Sequence, residues 1–101
     1  MQVMSVVRGK VPPSKSKEFE KSYASIRESQ LPPALSQSFL LKDRNQEGVY
    51  QIATVWESLE ILMKYKKAWK KGKQMPKAVE LFQSVGIKPK IESYEIRFRL
   101  R

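Results

Sequence analysis

VYQIATVWESLEILMKYKKAWKKGK, Val49 to Lys73, changes its period halfway along. Its first eight residues are apolar on both sides, with Val49, Ala53 and Val55 on one parity and Tyr50, Ile52 and Trp56 on the other. That pattern predicts a central strand covered on two faces. Ser58 then offers a hydroxyl to the free amides of a helix start, and Glu60 puts negative charge at the positive end of the helix dipole. Ile61, Leu62, Tyr65, Ala68 and Trp69 recur at helical spacing as one buried face, leaving Lys64, Lys66, Lys67, Lys70 and Lys71 mostly on the solvent side. A buried strand therefore runs straight into an amphipathic helix, and the rest of the fold is read outward from that junction.

Upstream, DRNQEG (Asp43 to Gly48) makes a hairpin connection back to a strand over 35–42, in which Leu35, Gln37, Phe39 and Leu41 share one side. Before it, QLPPAL breaks a helix over 14–29, because proline disfavours helix in the residue before it. Phe19, Tyr23 and Ile26 give that helix one apolar stripe, and Ser14 or Ser16 is its expected cap. Pro12 and Pro13 end a first strand over 2–11. Downstream, Gly72 closes the lysine-rich helix, Pro76 opens a short helix over 76–85, and Gly86 closes it. IESYEIRFRLR then alternates, placing Tyr94, Ile96, Phe98 and Leu100 on a dry side and Ser93, Glu95, Arg97 and Arg99 on the other, which predicts a strand over 91–100. The order β-α-β-β-α-(α)-β over residues 1–101 is that of a single ferredoxin-like α+β domain, a four-stranded antiparallel sheet with its helices on one face.

The 101 residues with 41% apolar content suffice for one ordinary core. No apolar run reaches the length of a membrane span and the start lacks a signal-peptide pattern, so a cytoplasmic protein is the expectation. The chain holds no cysteine and no histidine. Disulfides, thiolate chemistry, zinc fingers, histidine-ligated haem and every Ser-His-Asp device are excluded together, and neither a metal site nor a bound cofactor is expected. The net charge of +10 suits an anionic partner or simple solubility.

The βαββαβ order, the TVWES step from Thr54 to Ser58 and the aromatic second helix resemble the antibiotic biosynthesis monooxygenase-like domains of the dimeric α+β barrel group. The resemblance implies a homodimer with its sheets back to back, and either a cofactor-free, quinone-forming oxygenase or a haem-degrading oxygenase. The haem-degrading pattern asks for an asparagine on the first strand, near Val7 here, a tryptophan ending the third strand and a histidine on the next helix. Trp56 alone matches, and the single asparagine, Asn45, lies in the hairpin. The cofactor-free pattern groups asparagine, tryptophan, tyrosine and arginine around an aromatic substrate, which implies Trp56, Tyr65, Tyr50 and Arg8 in this chain.

Trp56 ends a strand at the opening of the space between sheet and helices, where it either walls a substrate cavity or plugs the edge of the core. Tyr65 and Trp69, one turn apart, line the same cavity or pack in the core. Tyr23 and Tyr94 offer phenols to orient a ligand or to meet the backbone. The catalytic candidates are thus Trp56, Tyr65 and Arg8, and the candidate substrate pocket is Trp56, Tyr65, Trp69, Tyr50 and Tyr23. Carboxylate pairs and phosphate-binding glycine loops are absent. The seven lysines between Lys64 and Lys77 raise a nucleic-acid reading, but the helix pattern buries the aromatics that stacking would need.

Three functions compete: a cofactor-independent monooxygenase on a small aromatic or quinol-like compound, a non-catalytic ligand-binding or structural dimer, and a basic nucleic-acid-associated domain. The third strand, apolar on both faces, predicts a homodimer through the face that the helices leave open. Glu95 and the polar row of the last strand are expected at its margin.

Overall fold

The structure is a computed structural model and describes residues 2–70 and 76–101. Four strands, β1 (Val3–Lys10), β2 (Leu35–Lys42), β3 (Val49–Trp56) and β4 (Lys90–Glu95), form one antiparallel sheet in the order β2-β3-β1-β4. Three helices, α1 (Ser16–Ala24), α2 (Leu59–Lys70) and α3 (Lys77–Ser84), complete a ferredoxin-like α+β fold. Gly72, the expected end of α2, lies outside the described residues, as do Lys71 and Lys73.

The turns form where the sequence places them. Asp43 Oδ1 accepts the amides of Asn45 and Gln46 at 2.8 and 3.1 Å, and Gly48 takes a φ of 79° with Val11 O 2.7 Å from where a Cβ would stand. Ser58 Oγ accepts the Ile61 amide at 3.3 Å, capping α2 as its position predicts. Gly86, φ 80°, follows α3 in the left-handed region.

Several expectations need correction. The first helix stops at Ala24 rather than Ser29, because the Ser25 hydroxyl donates to Ser22 O at 2.9 Å and a separate 3₁₀ turn forms over Glu28–Gln30. Neither Ser14 nor Ser16 caps it; Lys15 holds the cap position without a side-chain bond. The second strand carries a bulge between Leu35 and Gln37, so Leu35 faces the helices while Phe39 and Leu41 face away. The last strand ends at Glu95, since β1, its only neighbour among the described residues, pairs Val3 with Glu95, and one further backbone bond, Ile96 N to Gln2 O at 3.1 Å, follows. Beyond it Phe98 and Leu100 are 90% and 98% exposed, so the expected dry face is wet in the single chain.

Register sorts the sheet into rungs. On the helix side, Leu35, Trp56 and Val3 make one rung, Ser38, Thr54, Ser5 and Ser93 the next, and Leu40, Ile52, Val7 and Ile91 the third. Phe19, Phe82, Val79 and Val85 from α1, α3 and the turn after α3 bury Val7 and Ile52 of the third rung and their neighbours Val11 and Tyr50, with Leu40 packed against them and Ile91 left exposed at the edge. Leu62 of α2 buries Val3 and Trp56 in a second, smaller cluster. The open side carries Met4, Val6, Ala53, Val55, Phe39, Leu41 and Tyr94. Ser93 and Glu95 thus lie on the helix side, not at the margin of the open face, and Glu95 pairs with Arg97 of its own chain at 3.7 Å.

Tyr50 belongs to the larger core. Its ring packs on Phe19 at 5.1 Å, Lys42 Nζ stands 5.8 Å from its centroid, and its hydroxyl donates to Glu20 Oε2. Burial and then the Glu20 carboxylate raise its phenol above the ordinary value of 10.0. A raised folded value means stability that is complete below the unfolded value and declines as pH rises through the folded one. The wild type is expected to lose stability above about pH 10, and Tyr50→Phe to flatten that part of the profile. Urea midpoints measured at several alkaline pH values check this; equal slopes in the two proteins would count against it.

Candidate functional site

The polar rung is the origin of the site. Two clusters of side chains fill the core above and below it, but Ser5, Thr54 and Ser38 are too short to reach the helices, and α2, α3 and the segment 26–32 after α1 close over the gap without filling it. A cavity of about 110 Å3 remains. Ser5, Thr54 and Ser38 form its floor, Trp56, Tyr65 and Trp69 one wall, and Ile26, Leu31, Pro32, Ala78 and Leu81 the opposite side. Leu35 contributes only because the bulge turns it inward.

The aromatic wall is self-supporting. Trp56 lies 5.3 Å from Tyr65 and 6.4 Å from Trp69, and Tyr65 lies 6.5 Å from Trp69, all tilted or edge-on arrangements that aromatic quadrupoles favour. The indole N–H of Trp56 donates to Ser5 Oγ at 3.1 Å. This fixes the ring and leaves the Ser5 proton free to donate elsewhere. Ser38 is held by the Tyr23 hydroxyl at 2.9 Å. No buried side-chain nitrogen or oxygen lacks a partner among the described residues.

Trp56, Tyr65 and Trp69 are therefore brought together at one cavity. The other candidates are not. Tyr50 is sealed in the larger core, since its position on β3 is one rung beyond Ile52 and under Phe19. Tyr23 touches the cavity only through Ser38. Arg8 has the opposite parity to Ser5 and Val7, points to the open face, and donates to Gln46 Oε1 at 3.4 Å. The first-strand position expected near Val7 is apolar core, and the polar side chain on the helix-facing side of that strand is Ser5.

Sequence reading passed over the hydroxyls. Ser5, Ser38 and Thr54 lie on three separate strands, and only the register makes them neighbours. It also set Lys66 on the solvent side, whereas Lys66 is half-buried and lines the cavity with Lys77. Lys77 Nζ is 3.3 Å from Glu80. Among the described residues no carboxylate lines the cavity, and no cluster of His, Cys, Asp or Glu is placed to hold a metal. No helix there is long and apolar enough to cross a membrane.

No family model matches the chain, and no curated protein matches it in sequence. Solved structures match in fold. A Deinococcus radiodurans protein provisionally assigned as an antibiotic biosynthesis monooxygenase superposes with a TM-score of 0.70 at 14% identity, over 98% of this chain and 96% of that one. SnoaB of Streptomyces nogalater, a cofactor-independent oxygenase, gives 0.65 at 18% identity over 98% and 96%. A heme-degrading protein of Mycobacterium tuberculosis gives 0.68 at 22% identity over the full length of both. The shared feature is the antibiotic biosynthesis monooxygenase-like fold.

Proposed function

We propose that the chain is a small homodimeric oxygenase that acts on a hydroxylated aromatic compound without a bound cofactor. The observation that carries this is the cavity itself: three aromatic side chains facing a floor of hydroxyls, with no carboxylate or imidazole beside them. A planar ring fits the wall, and a ring oxygen meets the hydroxyl donors of Ser5 and Thr54. The fold shared with SnoaB supports the same reading. Haem degradation fits less well, because the chain has neither histidine nor cysteine and the cavity offers iron only a phenol and aliphatic hydroxyls.

Such a reaction closes without an added reductant. A phenol with a para C–H loses its hydroxyl proton, and the anion passes one electron to O2. The radical pair combines at the para carbon, and the hydroperoxide then loses water. One oxygen atom ends in the quinone and the other in water, with both hydrogens drawn from the substrate. The protein's part is to orient the ring against Trp56 and to hold the anion by preset donors, which are worth most where water is excluded. Incubation with naphthols and anthrones in air-saturated buffer should consume one O2 per quinone formed. No uptake above the uncatalysed rate, with binding retained, would favour the non-catalytic ligand-binding dimer.

The dimer rests on the open face of the sheet, where Phe39, Leu41 and Tyr94 are 45%, 46% and 51% exposed beside the half-buried Met4 and Val6. A contiguous apolar patch of this kind calls for cover, and a second sheet covers it symmetrically. The aromatics of the lysine-rich helix turn inward, which favours a small ring over stacked nucleobases. Sedimentation equilibrium should give twice the 11.8 kDa chain mass, and Phe39→Asp should halve it. A wild-type monomer at micromolar concentration would remove the dimer from the proposal.

A further inference from the structure

The cavity has an electrostatic sign. Its charged lining residues among those described are Lys66 of α2 and Lys77 of α3, and no acidic side chain shares the lining with them. Lys77 is engaged by Glu80, an exposed pair, whereas Lys66 is half-buried against the aromatic wall and no acid lies within ion-pair distance of it among the described residues. An ammonium placed on an apolar surface and left without an anion is the arrangement that a charged ligand completes. An aromatic trio alone would suit an ammonium ligand, but a cation here would meet two lysines and no carboxylate.

We propose that the ligand is an aryl anion, a ring bearing a carboxylate or an acidic phenol, and that Lys66 selects it. The ring lies against Trp56, Tyr65 and Trp69, its neutral oxygen substituents take hydrogen bonds from the Ser5 and Thr54 hydroxyls, and the anionic group meets the Lys66 ammonium. This rests on the cavity reading given above and adds the charge of the compound. Where the anion is the phenol itself, it also answers a gap in the chemistry: no lining carboxylate or imidazole can remove the phenol proton, so a phenol acidic enough to ionise in solution, held by a fixed cation, supplies its own anion.

The test uses the full chain, whose only two tryptophans, Trp56 and Trp69, both line the cavity, so the two indole N–H cross-peaks in a 15N spectrum report its occupancy. 2-Naphthoate and the isosteric, neutral 2-naphthamide are titrated in parallel. The acid is expected to bind about tenfold more tightly, because a hydrogen bond to a charged group contributes more than one to its neutral counterpart. Lys66→Met should bring the two within about twofold, Lys66→Arg should keep the preference, and Lys67→Met, which removes the same charge from an exposed position of α2, should leave it intact. In the wild type, added salt should narrow the ratio, a measurement that needs no variant. 4-Nitrophenol titrated on either side of its own ionisation separates the sources: tightening on ionisation admits phenolates, and no change restricts the ligand to carboxylates. Equal affinity for acid and amide in the wild type would overturn the anion assignment while leaving the aromatic cavity in place, and a preference that survives Lys66→Met would overturn the role of Lys66. If neither probe moves the indole signals, the cavity reading and this proposal fall together.

Discussion

Gly9→Val is expected to destabilise the protein by about 3 kcal/mol, at the upper end of what overpacking a core costs. Gly9 sits on the helix side of β1 opposite Tyr50, where α3 approaches the sheet most closely. Even a single added Cβ would stand 2.8 and 2.9 Å from Phe82 Cδ1 and Cε1 and 3.0 Å from Ile87 Cγ2. These are side-chain atoms, but the Phe82 ring is fully buried, against Phe19 at 4.8 Å, and has nowhere to swing. Opposing this, replacing a strand glycine recovers roughly 0.5–1 kcal/mol of backbone entropy and propensity. The collision wins, because valine adds two methyl groups beyond the Cβ that already clashes. A fall in melting temperature of about 12–24 °C should follow for a domain of this size. Calorimetry checks it, and a double mutant with Phe82→Leu should recover part of the loss. An unchanged melting temperature would mean that α3 does not seat on Gly9 as described.

Trp56→Ala carries the second large effect, on stability and on ligand binding together. Removing a side chain that is almost wholly buried costs about 3–5 kcal/mol and merges its volume with a cavity already present. Ser5 loses its donor, and Tyr65 and Trp69 lose the ring that holds both of them. Affinity for an aromatic probe should fall by about tenfold or more, given that an aromatic pair alone is worth about 0.5–1.5 kcal/mol beyond its buried area. Trp56→Phe separates the two roles. It keeps a ring in the wall but not the N–H, so it should fold with a loss of about 1 kcal/mol from the Ser5 bond and its own smaller volume, and retain most of the affinity. Urea denaturation and probe titration on both variants decide this. Equal affinity in the alanine variant and the wild type would show that Trp56 is core only.

The order and kind of the main elements were legible because each carries a local signal. The buried run of Val49–Trp56, the hairpin chemistry of Asp43–Gly48 and the helical spacing from Ile61 to Trp69 each act over a few residues. What was missed depends on pairing. A one-residue bulge reverses Leu35, and nothing in Leu35–Gln37 announces it. The alternation of Tyr94, Ile96, Phe98 and Leu100 is a strand pattern, but β1 supports only its first part and the strand ends at Glu95. Trp56 could be singled out from its place at a strand–helix junction, and its companions Tyr65 and Trp69 from helical spacing. The hydroxyl floor could not, since Ser5, Ser38 and Thr54 become one group only through two strand pairings. Lys66 was misplaced for a related reason: the buried arc of α2 is wider than its apolar residues alone suggest, because the helix leans over a cavity instead of a filled core.

The position of β1 in the sheet has a consequence for the order in which the chain folds. Its partners are β3, whose pairing Val3–Trp56 spans more than half the chain, and β4, whose pairing Val3–Glu95 spans nearly all of it. Only the β2–β3 hairpin is local. Loop-closure entropy must therefore be met before the two central strands can zip, which slows folding relative to a helical domain of equal length. During synthesis the first of these four strands to be made is the one that waits longest for its partners. Its apolar residues Val3, Met4, Val6 and Val7 remain unpaired until β3 has emerged and keep an open edge until β4 follows, so the nascent chain passes through a state in which three strands can pair while the outer edge of β1 is still uncovered.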